Sequence, residues 1–335
     1  MGFVKASEVD EMRVYKDCLD LSRLYFIKGF PNNIFWIPSW ILWVYVLWHM
    51  KQKKADIIHI DWQYKSHFEK FLFYFLLGKK KVMTVHDPIM HSGQPNAEIE
   101  EKLRIRSFRW ADHFILLNKV QTEDFMSKYL ITEDKISFSR LGNYDSIAKV
   151  VPKDMNIKGN YILFMGSIIP YKGLEYLLEA MVVVHKQCPD LRLVIAGGGN
   201  IYFDISKYEK MDYVEWIHRY VGVRELAGLL KKALFVVCPY KDATQSGVVQ
   251  TAFAMGVPVV ASNVGSLPSV ITNNVNGILV PPCNAKVLAD AIIALAEDME
   301  LLKSFEVNIQ SKWKKDMGWN EVANDYIQVY KSLLE

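Results

Sequence analysis

Cysteine is scarce in this chain of 335 residues. There are four, Cys18, Cys188, Cys238 and Cys283, and no two fall at CxxC spacing. That excludes a zinc knuckle and a thioredoxin-like redox pair, and it suits a reducing, cytoplasmic setting. Charge of one sign is lacking as well. A net charge of +3 is too small for a nucleic-acid-binding surface. No HExxH is present, so a zincin helix is excluded and no metal is expected. No GxGxxG follows a strand-like run, so the dinucleotide fingerprint fails, and Ser246 has no GxSxG context for a nucleophile elbow. The first twenty residues are mixed and charged, without the apolar core of a signal peptide. Short repeats and low-complexity tracts are absent too.

What remains is a chain with 51% hydrophobic residues, long enough for two domains. Its charge is uneven. Residues 1–150 hold 22 Lys/Arg against 18 Asp/Glu, and the rest hold 18 against 19. Residues 34–50 (IFWIPSWILWVYVLWHM) carry no Lys, Arg, Asp or Glu and four tryptophans, and Lys51, Lys53 and Lys54 follow at once. The run is shorter than the ~20 apolar residues of a spanning helix, and Pro38 interrupts it. Two readings stay open. One is an apolar helix packed inside the first domain. The other is peripheral contact of residues 34–54 with an anionic membrane surface, which the Trp-rich composition and the basic cluster favour.

From residue 56 onward, short apolar runs alternate with amphipathic ones. Strands are expected at 56–60, 81–85, 113–117 and 136–140, and helices at 68–77, 98–110 and 122–129. The stretch 151–159 (VPKDMNIKG) reads as a linker. A second series follows, with strands at 161–165, 191–196, 213–217, 234–238, 257–261 and 277–280, and helices at 174–186, 223–232, 248–255 and 285–297. Such alternation predicts parallel sheets covered on both faces. A helical stripe occupies 321–334. The expected division is a first domain at 1–152, a second at 153–318, and a C-terminal helix at 319–335 crossing back to the first. Residues 1–33 hold no apolar strand followed by glycines, so the first domain is expected to be shortened at its front.

In open parallel sheets, ligands bind beyond the carboxyl ends of the strands. The stretch 239–256 (PYKDATQSGVVQTAFAMG) follows a strand-like run and opens a helix with a Ser-Gly turn. Unsatisfied N–H groups at such a helix start favour an anion, and a phosphate above all. Gly166-Ser167 closes the first strand of the second series, and Lys172 precedes the next helix, where its ammonium can reach the same phosphate. Gly197-Gly198-Gly199 permits close backbone approach. Gly265 and Ser266 could line the same pocket. In the first series His86 and Asp87 end a strand, with His91, Ser92 and Gly93 close behind, a polar loop able to bond a ligand hydroxyl.

These pieces, in order, resemble glycosyltransferase family 4, the retaining nucleotide-sugar enzymes of the GT-B fold. The resemblance rests on ILFMGSIIPYKGLEYLLEAM (162–181), LRLVIAGGG (191–199), VCPYKDATQSGVVQTAFAMGVPVVASNVGSLPSVI (237–271), NGILVPPCN (276–284) and TVHDP (84–88). It covers roughly residues 55–335 and implies two Rossmann-like doubly wound domains facing across a cleft. The implied activity is transfer of a sugar from a nucleotide-sugar donor to a saccharide or lipid-linked acceptor, in cell-surface polysaccharide or glycolipid synthesis at the cytoplasmic membrane face. No cofactor or metal is implied, and nucleic acid is not a partner. His86 and Lys172 would be catalytic. Gly166, Ser167, Gly198, Arg219, Gln245, Ser246, Gly247, Val248 and Thr251 would bind the donor, and Asp87 and His91 would face the acceptor. The chain departs from the family pattern at Ser167, where an arginine is common, and at Ala243, Thr251 and Ser269, where glutamates are common. Those departures motivate an alternative: a degenerate GT-B protein that binds a nucleotide-sugar, or a partner, without turnover. A sugar-nucleotide epimerase of the same fold is a third reading.

Overall fold

The computed structural model describes residues 2–5, 24–27, 41, 45, 48, 56–61, 79–90, 97–152 and 159–335. The chain divides into two compact units. Unit 1 comprises Met1–Pro88, Asn96–Arg140 and Ala323–Glu335, and unit 2 comprises Ile89–Pro95 and Leu141–Val322. The division at Arg140 falls earlier than the polar stretch 151–159. The reason lies in the segment Asp145–Val150, which buries Ile147 and Val150 and packs against two helices of unit 2.

Unit 1 contains a four-stranded sheet in the order β3-β4-β5-β6, formed by Ile57–Ile60, Lys80–Val85, His113–Leu116 and Ile136–Phe138. Every pair in it is parallel. Helices α1 (Ala97–Phe108) and α2 (Thr122–Tyr129) connect its strands. Phe108, Phe114, Phe125 and Tyr129 meet edge-on or tilted between these elements, with ring centroids 4.9–5.6 Å apart. Two strands were not anticipated by the sequence reading. They are β1 (Gly2–Lys5) and β2 (Leu24–Ile27), paired in parallel. The front end is therefore not without strands. Each stands among charged and polar residues, outside the alternating series read from residue 56 onward. The helix expected at 68–77 lies outside the described residues.

Unit 2 is a six-stranded parallel sheet in the order β12-β11-β10-β7-β8-β9. Its strands are Tyr161–Met165 (β7), Arg192–Ala196 (β8), Val214–Ile217 (β9), Val236–Cys238 (β10), Val259–Ser262 (β11) and Gly277–Val280 (β12). The chain steps outward from β7 to β9, then returns to the other side of β7 and steps outward again. This is the Rossmann-type doubly wound order, and its switch point lies between β7 and β10. All five residues of β7 are buried, as a central strand covered on both faces requires.

The covering helices include α3 (Leu174–Gln187), α4 (Val223–Lys232), α5 (Gly247–Ala254), α6 (Ala285–Glu297) and α7 (Met299–Asn308). Leu174, Leu177, Leu178, Met181 and Val184 form the buried stripe of α3, and Leu288, Ile292 and Leu295 that of α6. The two helices pack together over one face of the sheet. Asn284 and Asp298 cap α6 and α7 by accepting from Val287 N and Leu301 N at 3.1 and 2.8 Å, each cap worth ~1 kcal/mol.

The C-terminal helix α8 (Trp319–Leu334) belongs to unit 1 from Ala323 onward. Val329 packs on Val82 and Ile115, with Tyr326, Tyr330 and Leu333 around them. His59 bonds the Tyr330 hydroxyl through Nδ1 and Thr84 Oγ1 through Nε2 at 2.7 Å, so both ring nitrogens are used inside the unit.

Candidate functional site

The switch point of unit 2 places two loops side by side. After β7 the chain runs through Gly166 and Ser167 to a single turn, Pro170–Lys172, and then into α3. After β10 it runs from Pro239 to Ser246, then into α5. Glycines let these backbones touch. A Cβ on Gly173 would stand 2.1 Å from the Pro239 carbonyl oxygen, and one on Gly197 would stand 1.9 Å from that of Gly166. Both approaches are closed to any larger residue. Glu175 joins the loops from above. It accepts from Lys241 Nζ at 2.8 Å and from the Tyr202 hydroxyl, binding the α3 start to the loops after β10 and β8.

Lys172 is the central group. It is nine-tenths buried, and its Nζ lies 2.6 Å from the position a Cβ on Gly166 would take, next to Val248 on the first turn of α5. Among the described residues no carboxylate accompanies it. Burial lowers its pKa, and the nearby Cys238 sulfur opposes this only in part. That thiol is itself pushed up to about 12 by burial and is neutral. A buried ammonium with neutral neighbours lacks its counter-charge.

The start of α5 points the same way. Ser246 is its N-cap, and Ser246 Oγ accepts from Val249 N at 3.2 Å. Gln250 N then donates to the Ser246 carbonyl at 3.1 Å. The N–H groups of Gly247 and Val248 remain without partners among the described residues, at the positive end of the helix. The Ser246 hydroxyl is engaged as the cap and reaches Tyr240 Oη at 3.5 Å. The part expected of it, donating to a phosphate, competes with that bond, which leaves the Gly247 and Val248 N–H groups as the donors open at this helix start.

The other expected residues fall as follows. Ser167 is exposed beside Gly166, and Gln245 is half-buried in the loop before α5. Thr251 donates its hydroxyl hydrogen to the Gly247 carbonyl at 2.5 Å, so only its lone pairs face outward. Arg219 follows β9, and its backbone carbonyl carbon lies 3.4 Å from a Cβ position on Gly198, so the structure brings those two together. Its guanidinium holds Glu225 through two bonds, of 2.8 and 2.7 Å. Gly265 carries φ +52°, and Ser266 donates to the Thr244 carbonyl, closing the far side of the loop.

In unit 1, His86 stands just past β4, with Asp61 just past β3. His86 Nε2 lies 3.3 Å from Asp61 Oδ1. Burial would lower the imidazole pKa, but the Asp61 hydrogen bond and charge, with Asp87 adding to them, outweigh it and raise the pKa. Arg104, buried on α1, donates from Nη1 to the Asp87 carbonyl and fixes this loop. His91 lies outside the described residues. Among those described, no three His, Cys, Asp or Glu side chains gather into a metal-binding group. Asp61, Glu175 and Tyr240 were not singled out by the sequence reading. For Asp61 the only signal available was its place at a strand's carboxyl end.

A doubly wound Rossmann-like unit, with a second parallel sheet in the same chain, defines an α/β protein of the GT-B type. Comparison with known proteins finds similarity to glycosyltransferases. Residues 159–298 match the family model described as "Glycosyl transferases group 1". An uncharacterized glycosyltransferase of Methanocaldococcus jannaschii is 33% identical over 190 residues, 52% of this chain and 45% of that protein. The alpha-D-kanosaminyltransferase of Streptomyces kanamyceticus is 23% identical over 324 residues, 88% of this chain and 83% of that protein. The alignment takes in about half the length of the first curated relatives, 45% and 48%. Among solved structures, Anabaena HepE in complex with UDP-glucose superposes with a TM-score of 0.68 at 15% identity, covering 99% of each chain. The sucrose-phosphate synthase of Thermosynechococcus elongatus gives 0.64 at 18% identity, over 89% of this chain and 78% of that one. At such identities the likeness defines the fold.

Proposed function

We propose that this chain is a glycosyltransferase that moves a sugar from a nucleotide-sugar to a saccharide or lipid-linked acceptor, with retention of anomeric configuration. The observation that carries this reading is the buried Lys172 ammonium, without a carboxylate, beside the two unpartnered N–H groups of Gly247 and Val248. Together they form a cradle for the diphosphate of the donor. In the reaction the bond from the anomeric carbon to the diphosphate breaks, its electron pair leaving with the diphosphate, and the acceptor hydroxyl oxygen forms the new bond as its proton passes to the departing diphosphate. Negative charge grows on the departing diphosphate, where a fixed cation and aimed N–H donors lower the barrier most. In this reading Lys172 and the α5 N-terminus meet that charge without a metal ion. Gly166 and Gly198 shape the floor, and Arg219 stands toward the base. His86, its proton held by Asp61 and Asp87, bonds a sugar hydroxyl, and the loop of Asp87 and His91 serves the acceptor.

Isothermal titration of the full chain with UDP, GDP and ADP, followed by product analysis with the matching sugar nucleotides, tests this. Binding of one nucleotide that is lost in Lys172→Ala, together with sugar transfer, supports it. Equal affinity in Lys172→Ala overturns it. Ala243, Thr251 and Ser269, standing where carboxylates are common, favour a second reading: binding without turnover. Saturable nucleotide binding with neither transfer nor donor hydrolysis would establish that one.

The setting we propose is surface polysaccharide or glycolipid synthesis at the cytoplasmic membrane face. No helix among the described residues is long and apolar enough to cross a membrane. Ile41, Tyr45 and Trp48 have helical backbone, stand four and three positions apart, and are 65, 48 and 55% exposed. Lys51, Lys53 and Lys54 follow in sequence. Peripheral contact through 34–54 accounts for both. Cosedimentation with anionic vesicles that weakens with salt supports it, and partitioning unchanged by Trp48→Ala with the three lysines replaced overturns it.

A further inference from the structure

Tyr240 is two residues past β10, in the loop that leads to α5. It is 98% buried, although its position is the mouth of the switch point, where loops are ordinarily open. Each part of its side chain meets a different piece of the site. Lys172 Nζ lies 5.7 Å from the centroid of its ring, within reach of a cation–π attraction. Ser246 Oγ–H donates to its hydroxyl at 3.5 Å. The Tyr171 ring meets it edge-on at 6.3 Å, and Lys241 N donates to the Tyr171 carbonyl at 2.7 Å, which closes the ring of contacts. A phenylalanine would fill this volume equally well, so packing alone leaves the hydroxyl unexplained.

The two anion-binding elements are otherwise separate. Lys172 comes from the loop after β7, and the α5 cap comes from the loop after β10. Among the described residues, no hydrogen bond joins the Lys172 amine to Ser246, Gly247 or Val248. Tyr240 is the side chain that touches both. We propose that Tyr240 is a positioning residue, its ring holding the Lys172 ammonium and its hydroxyl holding the Ser246 cap, so that cation and helix N-terminus meet one diphosphate together. The proposal rests on the diphosphate reading of this site and adds to it how the two halves are aligned. The groups that face Lys172 are the Tyr240 phenol, the Cys238 thiol, Gly166 and Val248, and none of them carries charge at neutral pH. Glu175, the nearby carboxylate of α3, is occupied by Lys241 and Tyr202. Beside the Cys238 sulfur, the ring of Tyr240 favours the charged amine.

The test uses the full chain, with UDP and inorganic pyrophosphate as probes. Affinities are measured by titration calorimetry from neutral pH upward, each variant against the wild type with the same probe, so that titration of the probe itself cancels. Tyr240→Phe keeps the ring and is expected to weaken both probes about three- to tenfold, with the alkaline loss of binding at the wild-type pH. Tyr240→Leu removes the ring and is expected to move that loss to lower pH by about half a unit or more. Tyr240→Phe and Ser246→Ala are expected to be non-additive, since they break one hydroxyl pair. If Tyr240→Leu does not fold, Tyr240→Phe and this cycle decide the matter. Wild-type affinity in Tyr240→Phe, or additive effects with Ser246→Ala, overturns the role of Tyr240 while Lys172-dependent UDP binding keeps the diphosphate reading. If neither probe binds the wild type, or Lys172→Ala binds like it, the diphosphate reading falls and this proposal falls with it.

Discussion

The Lys172 ammonium occupies the space that a side chain on Gly166 would need: a Cβ built there stands 2.6 Å from Lys172 Nζ and 3.5 Å from Val248 Cγ2. Gly166 also has φ +102°, outside the range of ordinary residues. Gly166→Ala therefore displaces the amine and strains the β7 exit at once. We expect a stability loss of ~1–3 kcal/mol and at least tenfold weaker UDP binding. Denaturant melts and titration calorimetry check both. Wild-type UDP affinity in a folded Gly166→Ala protein would show that the amine position is not what binds the anion.

Removing the buried charge separates stability from binding. The Lys172 pKa is lowered, so its contribution is most favourable above the unfolded value of 10.5 and worsens as pH falls through the folded value. At neutral pH, below the unfolded value, burying the ammonium costs stability. Lys172→Met keeps the length and drops the charge. We expect the ligand-free melting temperature to rise by roughly 2–4 °C, the shift that ~1 kcal/mol gives in a domain of this size. The stabilisation that UDP confers on the wild type should vanish in the same protein. A lower melting temperature in the ligand-free variant would mean that the amine has a counter-charge in the folded state.

Much of this was legible in advance. The strands at 161–165 and 277–280 and the helices at 122–129, 223–232 and 285–297 were placed within a residue, because long apolar runs and periodic stripes leave a strong local signal. Lys172 and the Ser246-Gly247 turn were visible too, since each follows a strand and opens a helix. What could not be read depends on register. Asp61 and His86 are 25 residues apart, and only the parallel pairing of β3 with β4 sets them side by side. Tyr240 looked like one more aromatic in a loop. Its role appears only when the β7–β10 switch brings Lys172 and Ser246 to opposite sides of it. The strands at 2–5 and 24–27 were missed because they stand among charged residues, outside the alternating series of strands and helices that begins at residue 56.

The Asp61–His86 pair should be visible in a titration. The raised His86 pKa means its contribution to stability is full below the unfolded value of 6.5 and is lost as pH rises through the folded value. Asp61→Asn removes the charge and leaves burial opposed mainly by Asp87. The NMR titration midpoint of the His86 imidazole should fall by about one unit. Asp61 is largely exposed, so stability at pH 7 should change by less than ~0.5 kcal/mol. His59 serves as an internal reference. Burial holds its pKa down despite the nearby Asp61 charge, so its midpoint should stay below that of His86 in the wild type. An unmoved His86 midpoint in Asp61→Asn would mean that the pair does not form in solution.

Ser246 allows the cap to be separated from the anion site. Its hydroxyl accepts from Val249 N, and the neighbouring N–H groups of Gly247 and Val248 are the ones left for a ligand. Ser246→Ala removes the cap and should cost ~1 kcal/mol of stability. Aspartate caps as well as serine does, so Ser246→Asp should retain stability within ~0.5 kcal/mol. It places a negative charge at the mouth of the cradle, where it pairs with the Lys172 ammonium and repels a diphosphate. UDP affinity should then fall at least tenfold in Ser246→Asp and much less in Ser246→Ala. The order of the two variants is the diagnostic. If Ser246→Ala binds UDP more weakly than Ser246→Asp, the helix start acts through its fold alone and the anion sits elsewhere.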